Sequence, residues 1–420
     1  MDASAKNLKR NLLFNTGGNL IYFACQWLVT GYFVNRLAAL PDAGLYNGGL
    51  LNTAMAVTNV FLTLASFGMR TFQVSDVADK YSQRTYIASR LLTIGASVAL
   101  CAVYTAALGY GGEQAVCIGI YLFYKLLESL TDVFHGCCQK RERMDVIGVS
   151  YAARGVLTVG VFCVVYAATG RLVPALLAMT ALCWLFSLWY DVWRARPYYA
   201  GSPRAPFSRV WALLLECLPL VIYSFCNTAA SSIPKLALER IHGTSVMGLY
   251  SYVNSPVLIL QVGVAFLFTP FITMFANKLA AGDKHGFRRI AVLITLGVFG
   301  VGTVGIGGVL LLGRWGLNLL YGEAVAAQAG LLVPMVVCAV LTSLVLFYCM
   351  LLTVLRDMKG LILGNLAGLA VSAAVSVPLV TRLALFGASY AAMLALAVQC
   401  VALAVFGLRS LGRYGAEKRS

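Results

Sequence analysis

The segments NRLAALPDAGLY (35–46) and ERIHGTSVMGLY (239–250) lie 204 residues apart and share one pattern. In each, an arginine (Arg36 or Arg240) is followed eight residues later by the same tripeptide, Gly44-Leu45-Tyr46 or Gly248-Leu249-Tyr250. Each segment closes the polar break between the first and second of six apolar runs. Ile87-Ala88 and Ile290-Ala291 then open the third run of each set at nearly the same offset. Position, spacing and topology together make these two copies of one unit. Six crossings are an even number, so both copies start from the same side of a membrane. The repeat is therefore parallel, about an axis along the membrane normal, which is a transporter architecture with its substrate path between the repeats.

Working outward, the apolar runs cover the whole chain. They are Leu12–Val34, Asn47–Gly68, Ile87–Leu108, Ala115–Cys137, Val146–Ala168 and Leu172–Tyr190 in the first set. The second set is Trp211–Ser232, Met247–Met274, Ile290–Leu312, Ala326–Leu355, Leu361–Val380 and Ala384–Leu408. Each is near the roughly 20 residues a bilayer-spanning helix needs. The runs are continuously apolar and do not alternate, so helices are expected and barrel strands are not. The first run is expected to be a retained helix and not a cleaved signal peptide. It is too long, and Asn35-Arg36 follows it in place of a small-residue cleavage pattern.

Composition agrees. The 420 residues are 60% hydrophobic and 11% charged, with mean hydropathy +0.81, whereas soluble domains carry roughly 25% charged residues. The fold class read from sequence is an all-α integral membrane protein of about twelve helices in two six-helix bundles. Residues 1–193 form the first bundle, 194–210 a linker holding Pro197, Pro203 and Pro206, and 211–420 the second bundle.

The net charge of +16 would suggest nucleic acid, were it not distributed by side. With both termini cytoplasmic, 24 of the 32 Lys and Arg fall in cytoplasmic segments and six on the opposite face, the bias that sets topology. Cytoplasmic segments hold nine of the sixteen acids, so they carry nearly the whole net charge of the chain. This charge orients insertion and meets anionic membrane lipids; nucleic acid is not expected as a partner. The twelve cysteines lie mostly within helices, form no CxxC pair and have no His at metal spacing. Neither a disulfide framework nor a metal site is suggested.

A family likeness rests on scattered motifs. These are Lys6-Asn7 through Asn15, Arg36 and Gly44-Leu45-Tyr46 in the first hairpin, and Lys235 and Leu238 ahead of Gly248-Leu249-Tyr250 in the second half. Thr269-Pro270, Tyr321-Gly322-Glu323 and Gly387-Ala388-Ser389-Tyr390-Ala391 complete them. With these the chain resembles the polysaccharide transporter, or oligosaccharide flippase, branch of the multidrug/oligosaccharidyl-lipid/polysaccharide exporter superfamily. The resemblance implies movement of a polyprenyl-diphosphate-linked oligosaccharide across a bacterial-type plasma (inner) membrane, for lipopolysaccharide or capsule. It implies no cofactor and no catalytic residues, and it makes glycosyltransferases or a polysaccharide polymerase candidate partners.

Charges inside spans are expensive and face a cavity or a partner. The fourth helix carries Lys125, Glu128, Asp132 and His135 within about 80° of one another, on one stripe. Arg154 in the fifth helix and Arg90 in the first turns of the third add cations. The functional reading is a polar cavity wall offering Lys125, Arg154 and Arg90 to a diphosphate, since charge-assisted bonds to phosphate are strong where water is scarce. The alternative is internal pairing, Lys125 with Glu128 and Asp132 with Arg154. Arg70 and Arg36 sit at helix ends, where snorkelling competes with a substrate role. Glu216 and Asp191 are expected to neutralise loop arginines. Gly360, Gly364, Gly368, Ser372 and Ser376 form a ridge that lets a neighbouring backbone approach.

Two rival functions stay open at this stage. A drug/cation antiporter of the same superfamily would use Glu128 and Asp132. A membrane-embedded glycan polymerase or ligase would need a sizeable external loop, and every expected external connection is under about 20 residues, well short of a spanning helix with its flanks.

Overall fold

In lipid each backbone N–H must find its partner inside its own segment, which is why apolar runs become helices. The computed structural model of the chain describes residues 3–38, 40–76, 79–203 and 205–413, and no strand occurs among them. α1 runs from Ala3–Trp27 through a π-helical turn, Leu28–Phe33, to Val34–Arg36. α2 is Pro41–Ser66, extended by Met69–Ser75 after Phe67 and Gly68, which both adopt left-handed φ of 51° and 60°. α3 is Gln83–Ala107, α4 Gly112–Lys140 and α5 Met144–Thr169. α6 is Leu172–Ser187, carried on by a π-helical turn at Leu188–Val192 and by Trp193–Tyr199.

The second set follows the same order. α7 is Phe207–His242, α8 Thr244–Ala280 and α9 Lys284–Tyr321. α10 is Leu332–Val354, and α11 and α12 lie within Met358–Arg413, divided at Ala384 where the backbone leaves helical geometry (φ 47°, ψ −119°). The chain is thus an all-α membrane protein of two six-helix sets. The expected run Ala326–Leu355 begins too early. Its first residues are the end of the short helix Glu323–Ala326 and a 3-10 turn, Ala329–Leu331, ahead of α10. Elsewhere the helices outrun the apolar windows, because their last turns leave the bilayer and take polar residues.

The chain divides into two compact units, residues 1–221 and 222–420, and the division falls inside α7. Within the first unit, Val210, Leu213, Leu214 and Cys217 of α7 join Met69, Tyr81, Tyr86 and Phe134 in one buried cluster. Lys80 and Tyr81, between α2 and α3, both donate to the Glu216 carboxylate. Burial pushes the carboxyl of Asp76 up, but the amides of Lys80 and Tyr81, the Tyr86 hydroxyl and the Lys140 ammonium outweigh it and hold it below its usual range. The two Gly-Leu-Tyr copies have diverged in role: Tyr46 is exposed, whereas Tyr250 is buried and accepts from the Ser389 hydroxyl at 3.3 Å.

Within the second unit α10 is the central helix, with 61% of its apolar window buried against 17% for α9, whose leucines therefore face lipid. The small-residue ridge of α11 packs as expected. Gly360, Gly364, Gly368, Ser372 and Ser376 are all buried, and a Cβ at Gly364 would come within 2.5 Å of Leu403 on α12. The contact is the far end of a flexible leucine, so Gly364→Leu should cost about 1–3 kcal/mol, read as a lower melting temperature in detergent.

Candidate functional site: a buried cationic cluster in the first unit

The α4 stripe forms as the helical spacing requires, and its members find partners on four other helices. The Lys125 ammonium meets Glu128 at 2.7 Å and lies 5.9 Å from the ring centres of Tyr121 and Tyr124. Glu128 also accepts from the Tyr22 hydroxyl of α1. Tyr22 is 3.3 Å from the Tyr124 hydroxyl, and Tyr124 in turn is 3.1 Å from Thr158 on α5. One carboxylate is thus shared by a lysine and a tyrosine, with a relay of hydroxyls behind it.

Asp132 does not pair with Arg154. Its two oxygens take separate arginines, Arg70 of α2 at 3.2 Å and Arg90 of α3 at 2.9 Å. Arg90 is fully buried and also donates to the Ala65 carbonyl at 2.8 Å and Ser129 at 3.3 Å. Arg70 keeps a quarter of its side chain accessible and also donates to Gln139. Its interactions go beyond the snorkelling expected of a helix-end arginine.

Arg154 is the least satisfied member. It is 2% exposed and donates through Nη1 to Thr131 at 3.1 Å. Its guanidinium lies over the rings of Tyr151 and Tyr22 at 5.0 and 5.7 Å. Nε and Nη2 have no partner. Cation–π contact of this kind holds a guanidinium without consuming its donors.

His135 is buried and sits 3.0 Å from Asp191 of α6, its ring edge against Tyr151. Asp191 therefore does not neutralise a loop arginine. The π-helical turn Leu188–Val192 adds residues to one turn of α6 and brings this carboxylate onto the packed face, a use of π-turns that recurs at functional positions. Glu216 does meet a loop cation, Lys80. Arg36 is exposed at the far end of α1, fourteen residues and so about 20 Å from Tyr22 at 1.5 Å per residue, and is not brought to the cluster.

Lys125, Glu128, Asp132, Arg70, Arg90, Arg154 and His135 thus come together, with His135 and Arg90 in its wall. Sequence reasoning missed Tyr22, Tyr124, Tyr151 and Thr131. A tyrosine in a span is a weak signal, since apolar packing explains most of them. Among the described residues no group of three or more His, Cys, Asp or Glu is placed to hold a metal ion, and the cysteines are free thiols.

Comparisons with known proteins bear on this arrangement. The family described as polysaccharide biosynthesis protein matches residues 9–276. The capsular polysaccharide biosynthesis protein CapF of Staphylococcus aureus is 25% identical over 320 residues, covering 75% of this chain and 77% of that protein. Among solved structures, the inward-facing conformation of a multidrug resistance MATE family transporter of the MOP superfamily superposes with a TM-score of 0.70 at 11% identity, over 97% of this chain and 96% of that one. A MATE protein in a bent conformation gives 0.67 at 11% identity over the full length of both chains. These structural likenesses establish the fold; the family match goes further, and the chain belongs to the polysaccharide biosynthesis protein family.

Proposed function

We propose that this transporter moves a polyprenyl-diphosphate-linked oligosaccharide from the cytoplasmic to the outer leaflet of a bacterial-type plasma membrane, by alternating access between its two bundles. Both termini lie in the cytoplasm in this reading, so Arg70 and Gln139 mark the cytoplasmic end of the cluster. Glycosyltransferases supply the loaded lipid and a polymerase consumes it. Protein groups bind and release; no covalent step is involved.

The observation that carries the reading is the unspent charge of the buried cluster. Four cations (Arg70, Arg90, Lys125, Arg154) face three acids (Glu128, Asp132, Asp191), and the surplus resides in Arg154, whose Nε and Nη2 have no partner. A desolvated guanidinium with two free donors suits a diphosphate oxygen. Lys125 and Arg70 flank it, and the tyrosines offer faces on which a sugar ring stacks.

Translocation of a fluorescent prenyl-diphosphate disaccharide in proteoliposomes tests this. Arg154→Ala should lower the rate by about tenfold to a hundredfold, the worth of one or two charge-assisted hydrogen bonds. Lys125→Ala should lower it less, because Glu128 already holds that ammonium. Absence of translocation by the unaltered chain would overturn the proposal, and normal transport by Arg154→Ala would remove Arg154 from the site.

The antiporter reading needs an acid free to attract an organic cation. Asp132 lies between two arginines, and Glu128 is held by Lys125 and Tyr22. Resistance to cationic drugs on overexpression is accordingly expected to be unchanged.

A further inference from the structure

Three helices of the first unit each aim two residues, spaced i and i+4, at one buried spot. α4 gives Thr131 and His135, α5 gives Ser150 and Arg154, and α6 gives Ser187 and Asp191, all at most 2% exposed. Asp191 interacts with His135, Arg154 and Ser150. The bonds made within this group are His135 Nε2 to Asp191 Oδ1 and Arg154 Nη1 to Thr131, with the Ser150 hydroxyl also directed to the Asp191 carboxylate. His135 Nδ1, Arg154 Nε and Nη2 and the Ser187 hydroxyl are left without a partner. Buried polar groups in such density are satisfied by ordered water.

The remaining ionisable neighbours are few. Arg70 acts on His135 from the extension of α2, and Tyr151 of α5 abuts its ring. Asp132 and Cys138 lie one turn to either side of His135 on α4. Tyr190 of α6 neighbours Asp191, and Tyr22 of α1 reaches the spot through Tyr151. Asp132 is already held by Arg70 and Arg90. Asp191 is therefore the one carboxylate of the spot that His135 and Arg154 both address.

We propose that His135 and Asp191 form a hydrated proton-exchange site that governs the availability of Arg154 to an anionic ligand. When water delivers a proton to Nδ1, the imidazolium takes Asp191 with full charge, and Arg154 keeps its free donors for the ligand. When the proton leaves, the neutral ring holds Asp191 through one N–H at most, and the guanidinium turns to the carboxylate. Ligand affinity then falls as pH rises through the titration of His135. His135 is a positioning residue here, acting through Asp191. The inference rests on the reading of Arg154 as the anion contact.

The test uses the full chain in nanodiscs and a short-chain prenyl-diphospho-N-acetylglucosamine, a diphosphate diester with no proton of its own to titrate near neutrality. The unaltered chain should bind it about fivefold or more tightly near pH 6 than near pH 8, within the range expected of coupled sites. His135→Gln should abolish the pH dependence. Asp191→Asn, which frees Arg154 at every pH, should bind near pH 8 as tightly as the unaltered chain does near pH 6. A structural role alone would weaken binding at both pH values, and that result, or a pH-independent unaltered chain, overturns the proposal. If the unaltered chain binds nothing at either pH, the anion-site reading fails on its own account. The exchange site is then judged by nitrogen NMR of the chain carrying His242→Gln and His285→Gln, in which His135 is the sole histidine. Its ring should titrate over the pH range of the binding test, and Asp191→Asn should lower the midpoint. A ring silent over that interval overturns it.

Discussion

Asp132→Asn should cost about 3–5 kcal/mol, the usual penalty for leaving a buried charge without its counterpart. The loss is concentrated on Arg90. That guanidinium has no exposed surface, and its remaining partners, the Ala65 carbonyl and Ser129 hydroxyl, are neutral. Arg70 suffers less, because its accessible edge can rehydrate and Gln139 still holds it. Total stabilities of 5–15 kcal/mol are typical, so a fifth or more of the fold's margin is at stake. Thermal melting in detergent and the monodisperse yield should both drop sharply. Arg90→Met added to Asp132→Asn should recover much of the loss, since an apolar side chain of similar volume replaces the stranded cation. Arg70→Gln alone should be mild. Equal damage from Arg70→Gln and Asp132→Asn would show that Arg90 is not the residue that needs the carboxylate.

Gly148→Val is expected to be the most damaging single change in the first unit. At the crossing of α1 and α5 the two backbones touch. A Cβ at Gly148 would stand 2.1 Å from the Phe14 carbonyl oxygen, and one at Gly18 would stand 2.1 Å from the carbonyl oxygen of Gly148. Neither obstacle is a side chain that can swing away, so the helices must separate. Separation also lifts Tyr22 and Cys25 from Gly155 and draws the Tyr22 hydroxyl away from Glu128. The cost should exceed the about 1–3 kcal/mol of ordinary overpacking, with loss of folded protein on size exclusion. Gly160, on the same helix, has open space around it. Gly160→Ala should be neutral or stabilise by up to about 1 kcal/mol through helix propensity. Similar behaviour of the two substitutions would refute the close crossing.

What could be read from the sequence follows the range of the forces involved. A span announces itself, because every residue of an apolar run contributes to the same hydropathy. Twelve runs thus became twelve helices, and the spacing of Lys125, Glu128, Asp132 and His135 placed them on one face. Helix ends were less legible: α9 starts at Lys284 and not at Ile290, since turns beyond the bilayer carry polar residues that resemble loop. Partners were least legible. Asp132 looked toward Arg154, 22 residues on, yet is taken by Arg70 and Arg90 from 62 and 42 residues before it. Nothing local in Leu188–Val192 marks a π-turn, and without that turn Asp191 reads as a solvent-side acid. The glycine ridge of α11 was legible because small residues at a helical period have few other uses in a membrane.

The placement of the unit boundary inside α7 has a consequence for dissecting this protein into halves. A first half ended at the proline-rich stretch before Phe207 would lack Val210, Leu213, Leu214 and Cys217, and with them one wall of its own interior. It would also lose Glu216, the anchor for Lys80 and Tyr81. The first compact unit is about fifteen residues longer than the internal duplication suggests, running through Val221. The covalent joint between the repeats is therefore a helix rooted in both, and the obvious linker is the wrong place to cut.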